Sequence, residues 1–271
     1  MIQRVVVTGL GTVNPLSRNV SGFWDALINK KNGINRITHF DSSNYKTKLS
    51  AEVNIDLNNY FNKKELNKID RFTAFALIAS NEAIIDAKID KTIDKNRVGV
   101  IIGSGIGGIN TLEKEHKKSL KSPRRVSPYF VPSMISDIAA GHISIKYGFK
   151  GPNFSVVSAC ASSNHAIGMA FKSIKFNESD IVITGGSEEG ITPLSIAGFM
   201  NMKAISTEQK RNKASIPFDL NRNGFVMGEG SGILVLESLK SALKRNAKIY
   251  AEISGYGSTA DAYHLTLSLI H

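Results

Sequence analysis

Asn153-Phe-Ser-Val-Val-Ser-Ala-Cys160-Ala-Ser-Ser-Asn-His165-Ala-Ile-Gly168 decides how this chain folds. Val156 and Val157 read as an extended apolar run, and apolar residues then recur at helical spacing from Ala161 to Ile174. Cys160, the one cysteine in 271 residues, therefore falls at a strand-to-helix turn. Unpaired N–H groups at a helix start, together with the positive end of the helix dipole, favour a thiolate and can receive an oxyanion forming beside it. Such a turn suits acyl transfer. The alternative is an inert cysteine acting as a small buried side chain.

On either side, strand and helix patterns alternate. Arg4 to Thr8 reads as a first buried strand closed by a turn at Gly9-Leu-Gly11, and Ser21 to Asn29 as a capped helix. Residues 34 to 62 are polar and irregular, and Lys63 to Ala87 has the spacing of one long amphipathic helix. Arg97 to Ile102 is a second buried strand running into Gly103-Ser-Gly-Ile-Gly-Gly108. Glu113 to Arg125 is a charged stretch, Ser127 to Pro132 an apolar loop fixed by two prolines, and Ser133 to Tyr147 a helix. Beyond the cysteine helix come strands at Asp180 to Thr184, Gly228 to Leu236 and Lys248 to Ser254, with helices at Ser195 to Ile205 and Leu239 to Arg245. This alternation predicts a layered α/β/α domain. The helix after Cys160 lacks a broad polar face, so cover on more than one side is expected.

Composition narrows the class. A 42% hydrophobic, 21% charged chain is ordinary for a globular protein, and one cysteine excludes an internal disulfide. No zinc-type spacing joins Cys160 to the six histidines, so no metal is expected. A single thiol suits a reducing compartment, and neither an export signal nor an apolar run of membrane-spanning length is evident. The expectation is a soluble cytoplasmic protein. The net charge of +11 fits either a solvated basic surface or an acidic partner; stacking aromatics are missing, so nucleic acid is not expected.

Gly103, Gly105 and Gly108 formally match the dinucleotide fingerprint, which would make a nucleotide-dependent oxidoreductase. That reading needs an acidic residue about 20 positions on. Arg124-Arg125-Val-Ser-Pro128 stands there instead. A close-packed loop beside a site is the better reading. His165, five residues after the cysteine, would be rotated away from it on a helix and reads as structural. His264 could approach from a distance, but the residues alone offer a nucleophile without a convincing base.

Many motifs together carry a resemblance. Val6-Val-Thr-Gly9-Leu-Gly11, Gly103 to Gly108, Ser127-Pro-Tyr-Phe-Val-Pro132, Gly151-Pro152, Ser158-Ala-Cys160-Ala-Ser162 and Gly185-Gly-Ser-Glu188 occur in that order. Pro217-Phe-Asp219, Asn223-Gly-Phe-Val226, Gly228-Glu-Gly230 and Asp261-Ala-Tyr-His264 continue the series. Nearly the whole chain thereby resembles the β-ketoacyl-[acyl carrier protein] synthase II family of thiolase-superfamily condensing enzymes.

The resemblance implies an α/β, thiolase-like fold: one α/β/α half of a five-layered αβαβα architecture. Residues 1–258 would form the amino-terminal half with the nucleophile, and 259–271 the start of the carboxy-terminal half. It implies that Cys160 accepts an acyl chain as a thioester, which the carbanion from decarboxylated malonyl carrier protein attacks. No cofactor is required. Ile106 matches a residue lining the acyl pocket, and Phe130 a pocket residue contributed across a homodimer interface. Lys64, Lys68, Arg124, Arg125 and Lys203 resemble the basic patch that docks acyl carrier protein. His264 matches a histidine near the catalytic pair.

The departure is in length. The family's two catalytic histidines, lysine, acidic partner and Gly-Phe-Gly-Gly loop are not among these residues, and the likeness frays over Leu265 to His271. A truncated, inactive condensing enzyme is therefore the expectation, and a noncatalytic carrier-binding or dimer-partner module the alternative. A half with an apolar face is also expected to aggregate or pair.

Overall fold

The structure, a computed structural model, describes residues 2–90 and 92–263. The strands are β1 (Val5–Val13), β2 (Asn35–Arg36), β3 (Leu49–Ser50), β4 (Val98–Gly103), β5 (Asn153–Val156), β6 (Ile181–Glu188), β7 (Gly230–Ser238) and β8 (Ala251–Ile253). The helices are α1 (Val20–Ile28), α2 (Lys63–Leu66), α3 (Arg71–Asp86), α4 (Ile109–Ser119), α5 (Phe130–Met134), α6 (Ile138–Tyr147), α7 (Ser162–Lys175), α8 (Pro193–Asn201) and α9 (Leu239–Lys244). Six strands form one sheet in the order β5-β4-β6-β7-β1-β8. β4 runs parallel to β5 and β6, whereas β7 is antiparallel to β6 and β1, and β8 antiparallel to β1. The C-terminal ends of β4, β5 and β6 therefore share one edge, where open α/β sheets place their sites.

Two apolar layers follow from the strand period of two. Val98, Val100 and Ile102 of β4, with Ile181 and Ile183 of β6, pack under α3 and α6. Ile101 and Val182, from the opposite face, pack with Ala166, Ala170, Phe171 and Ile174 of α7. The α/β/α layering read from the sequence is present.

β1 does not stop at Gly9. Its pairing with β7 slips between Val7 and Gly9, and the slip inverts the side-chain parity. Val5 and Val7 face α7 and so does Leu10, leaving Gly9, Gly11 and Val13 for the α3 side. The expected turn is instead a strand on which α3 lies close. A Cβ on Gly9 would sit 2.7 Å from the Cβ of Ala87, and one on Gly11 would overlap Ala79 O and sit 2.7 Å from Ala83 N. Gly11→Ala is accordingly expected to cost about 3 kcal/mol, the upper end of overpacking; urea unfolding with an unchanged midpoint would refute the close approach.

The long helix expected over Lys63 to Ala87 is two helices. Asn62 and Glu65 close a capping box on α2, and Asp70 restarts the chain by capping α3. α3 is buried almost all round, because it packs on β1, β6, β7 and α6. The charged stretch from Glu113 lies largely on α4, where Glu115 is buried and accepts from Lys118 Nζ at 2.6 Å and from Ser127 N at 2.8 Å. The proline loop ends as α5.

α7 meets its second cover in part. Tyr256, from the segment after β8, lies over Gly168, where a Cβ would collide with its ring. Asn164, Met169 and Lys172 stay exposed on the outer side. His264 and Leu265 to His271 lie outside the described residues.

Candidate active site

Cys160 sits in a single tight helical turn, Ala159–Ala161, between β5 and α7, and its side chain is exposed. Ala159 is left-handed, with φ of 50°, so the chain reverses sharply just before the thiol. Ser162 fixes the reversal: its Oγ donates to Ala159 O at 2.6 Å and accepts from Ser158 N at 2.9 Å. No side chain caps α7, so backbone N–H groups of its first turn have no side-chain acceptor close to Cys160.

Two glycines let this turn rest on the sheet. A Cβ on Gly103, the last residue of β4, would overlap the Ser162 carbonyl and approach Ser163 N to 2.6 Å. One on Gly186 of β6 would reach Ser163 Cβ at 2.5 Å. The start of α7 is thus seated on bare backbone at the carboxyl ends of the parallel strands.

A cavity of about 890 Å³ opens at this edge. Cys160, Ile106, Gly105, Phe199, Met227 and Leu234 are among its walls. The sequence placed Cys160 and Ile106 at one site, and the structure brings them together. Phe130, half-buried at the start of α5, does not line this cavity.

Carboxylates hold the glycine loop. Gly105 N donates to Glu188 Oε2 in a short hydrogen bond, Ser104 Oγ donates to Glu188 Oε1 at 3.4 Å, and Gly107 N donates to Ser104 Oγ at 3.0 Å. Burial pushes the Glu188 carboxyl above its usual range, opposed by the backbone donors. At the start of α4, Thr111 N and Oγ1 donate to Asp70 Oδ2 at 2.8 and 2.6 Å. Asp70 thus occupies helix-start donors that a pyrophosphate would need, and its charge opposes such a ligand. Burial raises the Asp70 carboxyl as well. Neither carboxylate was singled out for this role from sequence; a Glu directly ending the Gly185-Gly186 strand was the available signal.

His165 is a structural residue. Its Nδ1 lies 2.8 Å from Ser158 Oγ and its Nε2 3.4 Å from Ser258 Oγ, and Tyr256 meets its ring edge-on. Of the basic residues, Lys64, Lys68, Arg124, Arg125 and Lys203 are all exposed. Lys68 Nζ stands 5.4 Å from the Tyr129 ring and Lys68 O accepts from Ser133 Oγ, so Lys68 adjoins the segment that follows Arg124 and Arg125. Lys203 lies apart in the chain, just beyond α8. No helix among the described residues is long and apolar enough to cross a membrane.

Residues 3–242 match the family model for the β-ketoacyl synthase N-terminal domain. The chain is 48% identical over 269 residues to 3-oxoacyl-[acyl-carrier-protein] synthase 2 of Staphylococcus aureus (strain COL), covering 97% of itself and 64% of that protein. It is 46% identical over 268 residues to the protein of the same name from Synechocystis sp., again spanning 64% of it. Among solved structures it resembles a type II polyketide ketosynthase, described in complex with its acyl-carrier protein and bound to the hexaketide, at 33% identity and a TM-score of 0.88. That likeness covers 97% of this chain and 65% of the ketosynthase. The thiolase-like fold, the exposed cysteine on its glycine floor and the match along residues 3–242 give one answer: this chain belongs to the β-ketoacyl synthase family, over that family's N-terminal domain.

Proposed function

We propose that this chain is the acyl-accepting part of a 3-oxoacyl-[acyl carrier protein] synthase of fatty acid biosynthesis. The observation that carries the reading is Cys160: an exposed thiol at the uncapped start of α7, opening onto a largely apolar cavity. In the first step the Cys160 thiolate attacks the carbonyl of an acyl thioester on carrier protein. The oxyanion is received by N–H groups at the turn, that of Cys160 among them. Collapse of the adduct expels the carrier thiolate, which takes up a proton, and leaves the acyl chain on Cys160 with Ile106 beside it.

The second step, expected from the resemblance, is decarboxylation of malonyl carrier protein and attack of its carbanion on that thioester. Its histidine pair, lysine and glycine loop belong to the share of the relatives that this chain does not span. The 271 residues alone are therefore expected to load an acyl group without condensing it. Losing one oxyanion donor already costs about 10²–10³ in rate.

The carrier is acidic, and Lys64, Lys68, Arg124, Arg125 and Lys203 are its docking residues in this reading; the ketosynthase seen with its acyl-carrier protein supports such a partner. Homodimerisation, with Phe130 reaching a neighbouring pocket, and a cytoplasmic location complete the proposal. No cofactor takes part in either step.

The test is intact-mass spectrometry of the chain after incubation with acyl carrier protein. One acyl group should appear on Cys160 and none in Cys160→Ala. A carrier complex that forms without any acylation would overturn the acyl-accepting role and leave a docking module.

A further inference from the structure

At the border of the acyl cavity, three distant segments converge. His39 comes from the polar stretch between β2 and β3, Glu189 directly follows β6, and Glu229 directly precedes β7. Among the described residues, one ligand-capable atom from each lies within 4.8 Å of the others. Both carboxylates are sunk in the protein, Glu189 at 1% exposure and Glu229 at 5%.

Glu229 has partners. Its Oε1 accepts from Val53 N at 2.8 Å and from Arg71 Nη2 at 3.0 Å. Glu189 does not: its Oε2 is buried with no hydrogen-bond donor. Asp70 and Glu113 add negative charge around it, and Glu52 stands 3.6 Å from His39 Nε2. Among the described residues, Arg71 is the guanidinium set against this group. A buried carboxylate without a donor is costly, and the remedies are protonation, pairing or metal coordination.

We propose that His39, Glu189 and Glu229 bind a first-row divalent cation of the zinc or manganese class. His39 Nε2 lies 3.4 Å from Glu229 Oε1. Two ligands about 2.1 Å from a tetrahedral ion stand about 3.4 Å apart, so the spacing of this pair already fits, with the ion taking the place of Arg71 Nη2 on Oε1. One imidazole and two carboxylates suit such ions and leave a position for water. An entry path exists: His39, Glu52 and Arg71 line a second, polar cavity of about 380 Å³.

The ion would tie the polar loop to both edges of the acyl cavity. Glu229 and Gly190 line that cavity, and Glu188, next to Glu189, holds Gly105. Spacing could not disclose the site, because its ligands stand 150 and 40 positions apart and none is a cysteine.

The test uses chelator-treated chain carrying Cys160→Ser, so that the free thiol cannot bind the probe. Cobalt(II) is titrated and followed by its visible absorption, with bound metal counted after gel filtration and zinc(II) added as competitor. The expected result is one ion per chain, displaced by zinc. Glu189→Gln, nearly isosteric, and His39→Ala, at a solvent-accessible position, should each weaken binding by more than the roughly 10–100-fold that losing an outer-shell partner costs. Circular dichroism checks that both variants fold. No retained cobalt in the parent chain, or equal affinity in parent and variants, would overturn the site and leave an ion pair of His39 with Glu52 and Glu229.

Discussion

Gly103→Ala is expected to slow acyl loading of Cys160 by about 10²-fold while the six-stranded sheet remains folded. The missing Cβ is what allows α7 to begin on the end of β4. A methyl there runs into the Ser162 carbonyl and Ser163 N, which are backbone atoms of the turn that carries the thiol. Ser162 Oγ is also the group bonded to Ala159 O and Ser158 N, so moving it releases the left-handed Ala159 as well. A displacement near 1 Å is of the size that costs about 10²-fold in a positioned reaction. Small alkylating reagents, which need no such alignment, should label the variant at nearly the parent rate. Parent-like acylation would refute the positioning argument.

Arg245→Ala should destabilise the domain by about 3–5 kcal/mol, the penalty for leaving a buried carboxylate without its cation. Glu237, fully buried on β7, takes a two-pronged contact from Arg245, with Nε at 2.8 Å and Nη2 at 2.6 Å. Thr8 Oγ1 and Ser241 Oγ complete its partners, and Arg245 Nη1 donates to Ala87 O at the end of α3. One guanidinium thus joins β7, α9 and the exit of α3. Lysine cannot reproduce the fork, so Arg245→Lys should recover little. The readout is the urea midpoint at neutral pH, and a shift worth under about 1 kcal/mol would reassign the pair to the weak class of surface bridges.

The cysteine turn was legible because side-chain period changes within one short stretch, from strand to helix, with small residues between. The layers were legible for the same reason: Val98 to Ile102 and Ile181 to Ile183 are apolar on both faces, as strands covered on two sides must be. What escaped were features set by distant partners. Gly9 and Gly11 read as a turn because nothing local records that α3 will lie on them. The restart at Asp70 was hidden by apolar spacing that continues through it, and helix α4 by its charge. Glu188, Asp70 and the His39, Glu189 and Glu229 group act through residues far along the chain, so no window of sequence contains them. The basic residues were individually visible, but sequence spacing does not say which of them share a surface, because tertiary placement decides it.

Among the described residues, β1 is the first strand and is flanked in the sheet by β7 and β8, the last two. At about 5–20 residues per second, a ribosome needs on the order of 10–50 s between making Val5 and making its pairing residue Ser238. During that interval the opening strand waits with both edges unsatisfied, while β4, β5 and β6 can already assemble. Assembly of this sheet should therefore finish at β1, and shielding of that strand in the cell would govern yield more than the stability of the finished sheet.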